Sequence, residues 1–334
     1  DITVPNLDNG TTSGTLAAMT SSDNITWAGR FTPTANTEDA SNTLSLTTSS
    51  YTDLAGNAGP SATTANYEVE TWAPSVNVNG VEITSATDIQ NNFLNADDVL
   101  SVTVTFRESV IVDNASGTPT LTLVVGTTNP KATYTSGSGG TTMVFQYTIQ
   151  AGETDDNGIS IGANVLALDN GTISDPAGNN ATLTHSPVSD NSSYKVDTTP
   201  PTVSSVAITS ATTGIQNSFV NAGDNVSVTV TFSENSTVTG TPQLTLAVGE
   251  DNHTADYTSS GSGATTKVFK YTIQAGDNDT NGISIRANAL ALDNGTIMDL
   301  AENNAILTHI AVLDNSSYMV DTEAPRVDNF TLSD

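Results

Sequence analysis

Apolar residues recur at every second position through many short stretches of this chain. Val102, Val104 and Phe106 alternate with Ser101, Thr103 and Thr105, and Val228, Val230 and Phe232 repeat the pattern further on. Leu121, Leu123 and Val125 alternate with Thr120 and Thr122, and Phe145, Tyr147 and Ile149 with Gln146 and Thr148. A period of two with one apolar face predicts half-buried β-strands. No 11-residue window holds a helical period. Ser-Gly-Ser-Gly at 136–139, and again at 260–263, predicts a hairpin tip.

The pattern is itself repeated. SSYKVDT ends at Thr198 and SSYMVDT at Thr322, so Asp197 and Asp321 lie 124 residues apart. ALDNGTI at Ala167 returns at Ala291, and NGISI at Asn157 returns at Asn281, with the same period. NYEVET, ending at Thr71, is the corresponding terminal strand one repeat earlier, and Pro74, Pro201 and Pro325 mark the joints. The expected organisation is a shorter unit at 1–70, full repeats at 71–197 and 198–321, and the opening of a further repeat at 322–334. The chain then reads as a segment of a longer tandem array. Several alternating strands per repeat predict an all-β fold of tandem Ig-like antiparallel sandwiches, set end to end as an extended rod.

Composition narrows the function. Among 334 residues, 36 Asp and Glu face 8 Lys and Arg, a formal net charge of −28. A chain so poor in cations cannot neutralise phosphates, which argues against nucleic-acid partners. With no run of 18 apolar residues, direct membrane insertion is not expected. The absence of Cys removes disulfides, thiolate metal sites and Cys nucleophiles. His185 and His309 are repeat equivalents, His253 stands alone, and no hydrolase or phosphate-loop motif is found. The expected protein is not an enzyme.

FSENSTVTGTPQLTL (232–246), YTIQAGDNDTNGISI (271–285), the ALDNGTI segments and the YxVDT joints resemble bacterial Ig-like repeats of giant surface proteins, including RTX-type, type I-secreted adhesins. Residues 25–59, with ITWAGRFTPT and YTDLAGNAG, resemble a sister repeat of the same arrays. The resemblance implies an extracellular stalk in cell adhesion or biofilm formation, with neighbouring repeats of a monomeric chain as partners and calcium at the joints. The chain departs from the pattern at Glu70, where the other joints carry Asp, and at Glu302, where the loop expects Gly.

Strand direction brings the acids of each repeat toward its incoming end. In repeat three Glu234 closes a strand, Asp299 and Asn303 occupy a late loop, and Asp197 sits in the linker. The matching set in repeat two is Glu70, Glu108, Asp175 and Asn179; Asp53 and Asn57 remain in unit one, and Asp321 would serve a further repeat. Converging carboxylates repel, and a divalent ion relieves that repulsion. Oxygen donors without His or Cys favour Ca²⁺. The alternative is turn chemistry alone, since Asp-x-Ala-Gly-Asn is a good turn sequence. A second acidic loop, Asp277, Asp279 and Asn281, matches the first half of an EF-hand loop without its final Glu, and Asp155 is its counterpart in repeat two. That loop, with Asp97 and Asp224, is expected at the outgoing end, where a polar turn is the favoured reading.

Trp27 and Trp72 are candidates for stacking on a sugar, so a carbohydrate- or host-protein-binding module is the rival function. An accessory module of a large secreted enzyme is a third.

Overall fold

The computed structural model describes residues 2–3, 13–211, 215–259 and 263–331. Every regular element among them is a β-strand. The first Ser-Gly-Ser-Gly tip joins the strands Lys131–Ser136 and Gly140–Thr148; most of the second lies outside the described residues.

In the second unit the strand Val99–Asp113 organises the main sheet. Its first half pairs antiparallel with Val76–Ala86 on one side and Gly140–Thr148 on the other. The sheet continues through Lys131–Ser136 and Thr120–Thr122 to Leu166–Ala167. The alternation follows burial: Leu100, Val102 and Val104 are 0 % exposed and Phe106 1 %, while the intervening Ser and Thr are only half-covered. The second layer is thin. It consists of Thr154–Asp155, Lys195–Asp197 and Phe93–Leu94, the last two parallel, together with irregular chain that sends Ile159, Ile161 and Val188 into the same core.

The third unit repeats this design. Val203–Ala211, Asn225–Phe232, Thr266–Thr272, Asp251–Thr258, Gln243–Val248 and Leu290–Ala291 form its main sheet, in that order. A separate core contains Val226, Val228, Val230, Phe232 and Phe269. One local difference is informative. Val99–Asp113 runs on past its bulge to pair with Thr172–Ser174, whereas the equivalent strand stops at Phe232 and resumes at Thr237–Thr239.

The first unit is sparse. Its strands form three small sheets, and Val69 is the buried hydrophobic residue among its described residues. It ends in Tyr67–Glu70, which pairs with Glu38–Asn42. The Thr that follows each terminal strand fastens the chain to its own unit. Thr198 Oγ1 donates to Glu153 O and accepts from Gly152 N, and Thr322 makes the same pair of bonds with Asp277 O and Gly276 N. The joints thus begin at a pinned residue.

Candidate metal-binding joints

The loop Asp299–Asn303 follows the strand Thr296–Met298. Asp299 is 5 % exposed and holds the loop shut. Its Oδ1 accepts from Asn303 N and its Oδ2 from Asn303 Nδ2, both at 2.9 Å. The carboxamide also donates to the linker, with Asn303 Nδ2 2.8 Å from Asp197 O. The same loop appears twice more. Asp175 takes both Asn179 donors at 2.8 Å, and Asn179 Nδ2 reaches Glu70 O at 3.2 Å. Asp53 takes the Asn57 donors at 2.9 and 2.7 Å. Asp, a small residue and Asn at fixed spacing close this turn through side chain-to-backbone bonds.

Around the third loop the structure brings three chain segments together. Carboxylate oxygens of Asp197, Glu234 and Asp299 all lie within 4.8 Å of one another, and among the described residues this is the one such group of three. Asp197 ends the strand Lys195–Asp197, and Glu234 follows Phe232 at the break in its strand. Burial pushes the Glu234 carboxyl above its ordinary value, and repulsion from Asp197 and Asp299 adds to it. Burial raises Asp197 as well, with Asp299 and Asp156 as repelling neighbours, against a lowering bond from Thr199 N. No Lys or Arg among the described residues forms an ion pair with this group; the described Lys–carboxylate pair is Lys131–Asp169, elsewhere on the surface.

The preceding joint is looser. Glu70, Glu108 and Asp175 line a cleft of about 540 Å³ with Pro33 and Thr71. Glu108 is raised by burial first and then by Glu70, Asp175 and Glu38. Glu70 Oε1 is already engaged by Trp72 N at 2.6 Å. Asp53 and Asn57 are exposed and meet no further acid in a group of three among the described residues. Asp321 is exposed, beside Asn278, Thr280 and Glu323 in a cleft of about 440 Å³.

Two parts of the candidate ligand set have hydrogen-bond partners of their own. Asn57, Asn179 and Asn303 present their amide nitrogens to the carboxylates of Asp53, Asp175 and Asp299 and so organise the loops. In the second acidic loop the carboxylates are taken up by donors, in keeping with the polar turn expected there. Asp279 is 3 % exposed and spends Oδ2 on Gly249 N and Oδ1 on Asn281 N and Gly282 N. Asp155 bonds Gly126 N and Gly158 N in the same way. Asp277 Oδ2 accepts from Tyr271 Oη and Gln274 N, and Asn281 Nδ2 turns to Asp314. These carboxylates serve backbone and side-chain donors.

His185 and His309 are also structural. Their Nε2 atoms accept from Val165 N and Ala289 N, each at 2.9 Å. Trp27 is 54 % and Trp72 51 % exposed; Trp27 borders a surface cleft with Leu16, Met19 and Leu44.

Sequence reasoning did not single out Asn91 and Asn95. Both side chains cross the joint between the second and third units, to Leu300 O and Ala301 O. A signal was present: Ile-Gln-Asn-x-Phe-x-Asn occurs at 89–95 and again at 215–221.

Residues 3–69 match the family model of the bacterial Ig-like domain. Such domains are typical of extracellular and surface proteins. No curated protein matches the chain.

Proposed function

We propose that this chain is a stalk segment of a bacterial surface adhesin, whose work is mechanical rather than catalytic: it carries a distal binding domain away from the cell. The observation that carries the reading is the meeting of Asp197, Glu234 and Asp299 from three segments at the joint between two full units. These donors fit a hard divalent cation, and Ca²⁺ takes six to eight oxygens of this kind. The raised carboxyls of Asp197 and Glu234 and the absence of a paired cation among the described residues leave charge for such an ion to neutralise. Asp197, Glu234 and Asp299 would hold it, with the linker and loop backbone orienting them. Bound there, calcium would tie the linker to the following unit and restrict the joint.

The proline-bearing linkers support the same reading. Val196-Asp-Thr-Thr-Pro-Pro201 has few open conformations, because proline fixes its own φ and extends the residue before it. Extracellular modules use calcium sites with Kd of about 10⁻⁴–10⁻³ M. Sites of that strength are empty at cytosolic calcium and fill outside, so the segment would stiffen on secretion. Native-state binding also stabilises by mass action.

Small-angle scattering and thermal melting of the chain, with calcium and with chelator, test this. The expected result is a smaller maximum dimension or broader distance distribution, with a lower melting temperature, in chelator. Identical scattering and melting in both conditions would overturn the calcium reading.

A further inference from the structure

The joint between the second and third units is also held by contacts that use no carboxylate from the acid group. Asn91 Nδ2 donates to Leu300 O and Asn95 Nδ2 to Ala301 O, each at 2.9 Å. The donors stand on a preorganised loop. Gln90 and Phe93 exchange backbone bonds at 2.9 and 2.7 Å, with Asn91 and Asn92 between them at φ 51° and 68°. Asp98 Oδ2 caps Asn95 N at 2.9 Å, and Phe93–Leu94 pairs in parallel with Lys195–Asp197, the strand that leads into the joint. The acceptors are equally fixed, because the Asp299–Asn303 clasp encloses Leu300 and Ala301.

Burial shows how closely the two surfaces fit. Ala301 is 1 % exposed, whereas Ala177, at the same place in the second unit's loop, is exposed. No contact equivalent to the asparagine pair reaches the 175–179 loop from the described residues of the first unit, where Asn179 to Glu70 O is the bond that crosses.

The third unit carries the same device on its far side. Gln216 and Phe219 exchange backbone bonds at 3.0 Å, and Asn217 and Ser218 take φ 54° and 70°. Asp224 Oδ2 caps Asn221 N at 2.8 Å, and Phe219–Val220 pairs in parallel with Met319–Asp321. Asn217 and Asn221 correspond to Asn91 and Asn95, and both are exposed.

We infer that residues 215–221 form a docking surface for a further copy of the Ig-like repeat, through its Asp-x-Ala-x-Asn loop. Two carboxamides read two consecutive backbone carbonyls, so the partner is recognised by its closed loop and a small residue at the third position. The occupant follows from continuity with the interface already formed at Asn91 and Asn95. The inference rests on the reading of the chain as a stack of repeats, but needs no calcium.

The test begins with the chain itself. Residual dipolar couplings report the relative orientation of the second and third units in chelator, for wild type and for Asn91→Ala/Asn95→Ala. The expected result is a preferred orientation in wild type, less ordered than in calcium, and couplings averaged further in the double variant, with both units still folded. A second chain carries another copy of residues 198–321 after Asp321. There the added unit should take the same orientation on the third, and lose it in Asn217→Ala/Asn221→Ala. Unchanged couplings in either variant, or an unoriented added unit, would overturn the inference. Wild-type couplings identical in calcium and in chelator would instead remove the calcium reading and leave this one standing.

Discussion

Asn303 Nδ2 lies 2.8 Å from Asp197 O, although the two residues are 106 positions apart. The same carboxamide closes its own loop on Asp299, so one side chain joins the linker to the unit that follows it. Replacing Asp299 by Ala removes both acceptors of this clasp and should open the 299–303 loop. Loss of two hydrogen bonds to a charged group at a buried site costs about 2–4 kcal/mol. Chemical denaturation of the third unit should register that loss, while the second unit's transition stays where it was. Asp197→Ala should do the converse. It leaves both units folded and loosens the joint between them, seen as interdomain dipolar couplings that in calcium fall to those of wild type in chelator, since the Asn303 bond to the Asp197 carbonyl and the bonds to Leu300 O and Ala301 O remain; unfolding of both units would contradict a joint role for Asp197.

Much of this arrangement was legible in the sequence, and the reasons are specific. Val102, Val104 and Phe106 announce their strand because an apolar face of period two must find a core. Glu234, Asp299 and Asp197 could be placed at one joint because strand direction is set by the number of turns between them. The asparagine contacts were hidden because Asn91 and Asn95 sit in what composition alone reads as a polar turn, and their acceptors are backbone carbonyls without a side-chain signature. The thin second layer was hidden too. Ile159, Ile161 and Val188 fill the core from irregular chain, where no periodicity exists to read. The role of Asp279 turned in part on an amide partner far off in sequence: Gly249 is 30 residues away.

That last point separates two roles for an acid. Asp279 is 3 % exposed and bonded to Gly249 N and Gly282 N at 2.8 and 2.7 Å. Asp279→Ala leaves those buried donors unpaired and should destabilise the third unit by about 2–4 kcal/mol, equally in calcium and in chelator. A denaturation midpoint for the variant that calcium restores would indicate a metal role instead.

The raised carboxyls make a pH prediction with a definite sign. Burial and like-charge neighbours raise Glu108, Asp197 and Glu234 in the folded chain. A raised carboxyl favours its protonated form when folded. Its stabilising contribution is fully present below the unfolded carboxylate value of about 4 and is lost as pH rises through the raised folded value. In chelator, wild type should therefore lose stability relative to Glu234→Gln as pH rises from about 4 toward neutrality. Taking the difference removes the opposite contribution of the lowered carboxyls of Asp53 and Asp169. With saturating calcium the ordering should reverse at neutral pH, because Glu234 then faces a cation. Melting curves of the two proteins at several pH values, with and without calcium, provide the check.

The exposed indoles discriminate the rival function. Trp27 and Trp72 stand roughly half-exposed, and sugar stacking would use that face. On a glycan array the stalk reading expects no specific binding. Binding that Trp27→Ala or Trp72→Ala abolishes would favour the ligand-binding module.

In the core of the third unit, two apolar residues of the second unit have polar counterparts. Val110 and Met143 are both 0 % exposed; at the matching places stand Ser236 and Lys267, at 8 % and 2 %. Lys267 Nζ donates to Gly263 O and Ala264 O at 2.8 Å, with no carboxylate paired to it among the described residues. Ser236 Oγ is buried without a partner, while Ser236 N shares the Ala264 carbonyl at 2.9 Å. Desolvation lowers the Lys267 amine from its ordinary value. A lowered amine penalises the folded state while it is charged. The penalty is full below the folded value and fades as pH rises through it toward the unfolded value of about 10.4. Lys267→Met with Ser236→Val restores the pair that the second unit uses and removes both an unpaired hydroxyl and a desolvated charge. The double variant should be more stable at pH 7 by about 1–3 kcal/mol, and its advantage should shrink as pH rises toward 10. Urea unfolding of the third unit at pH 7 and at pH 10 measures both quantities. A variant less stable than wild type at pH 7 would show that the lysine's two carbonyl bonds outweigh its desolvation.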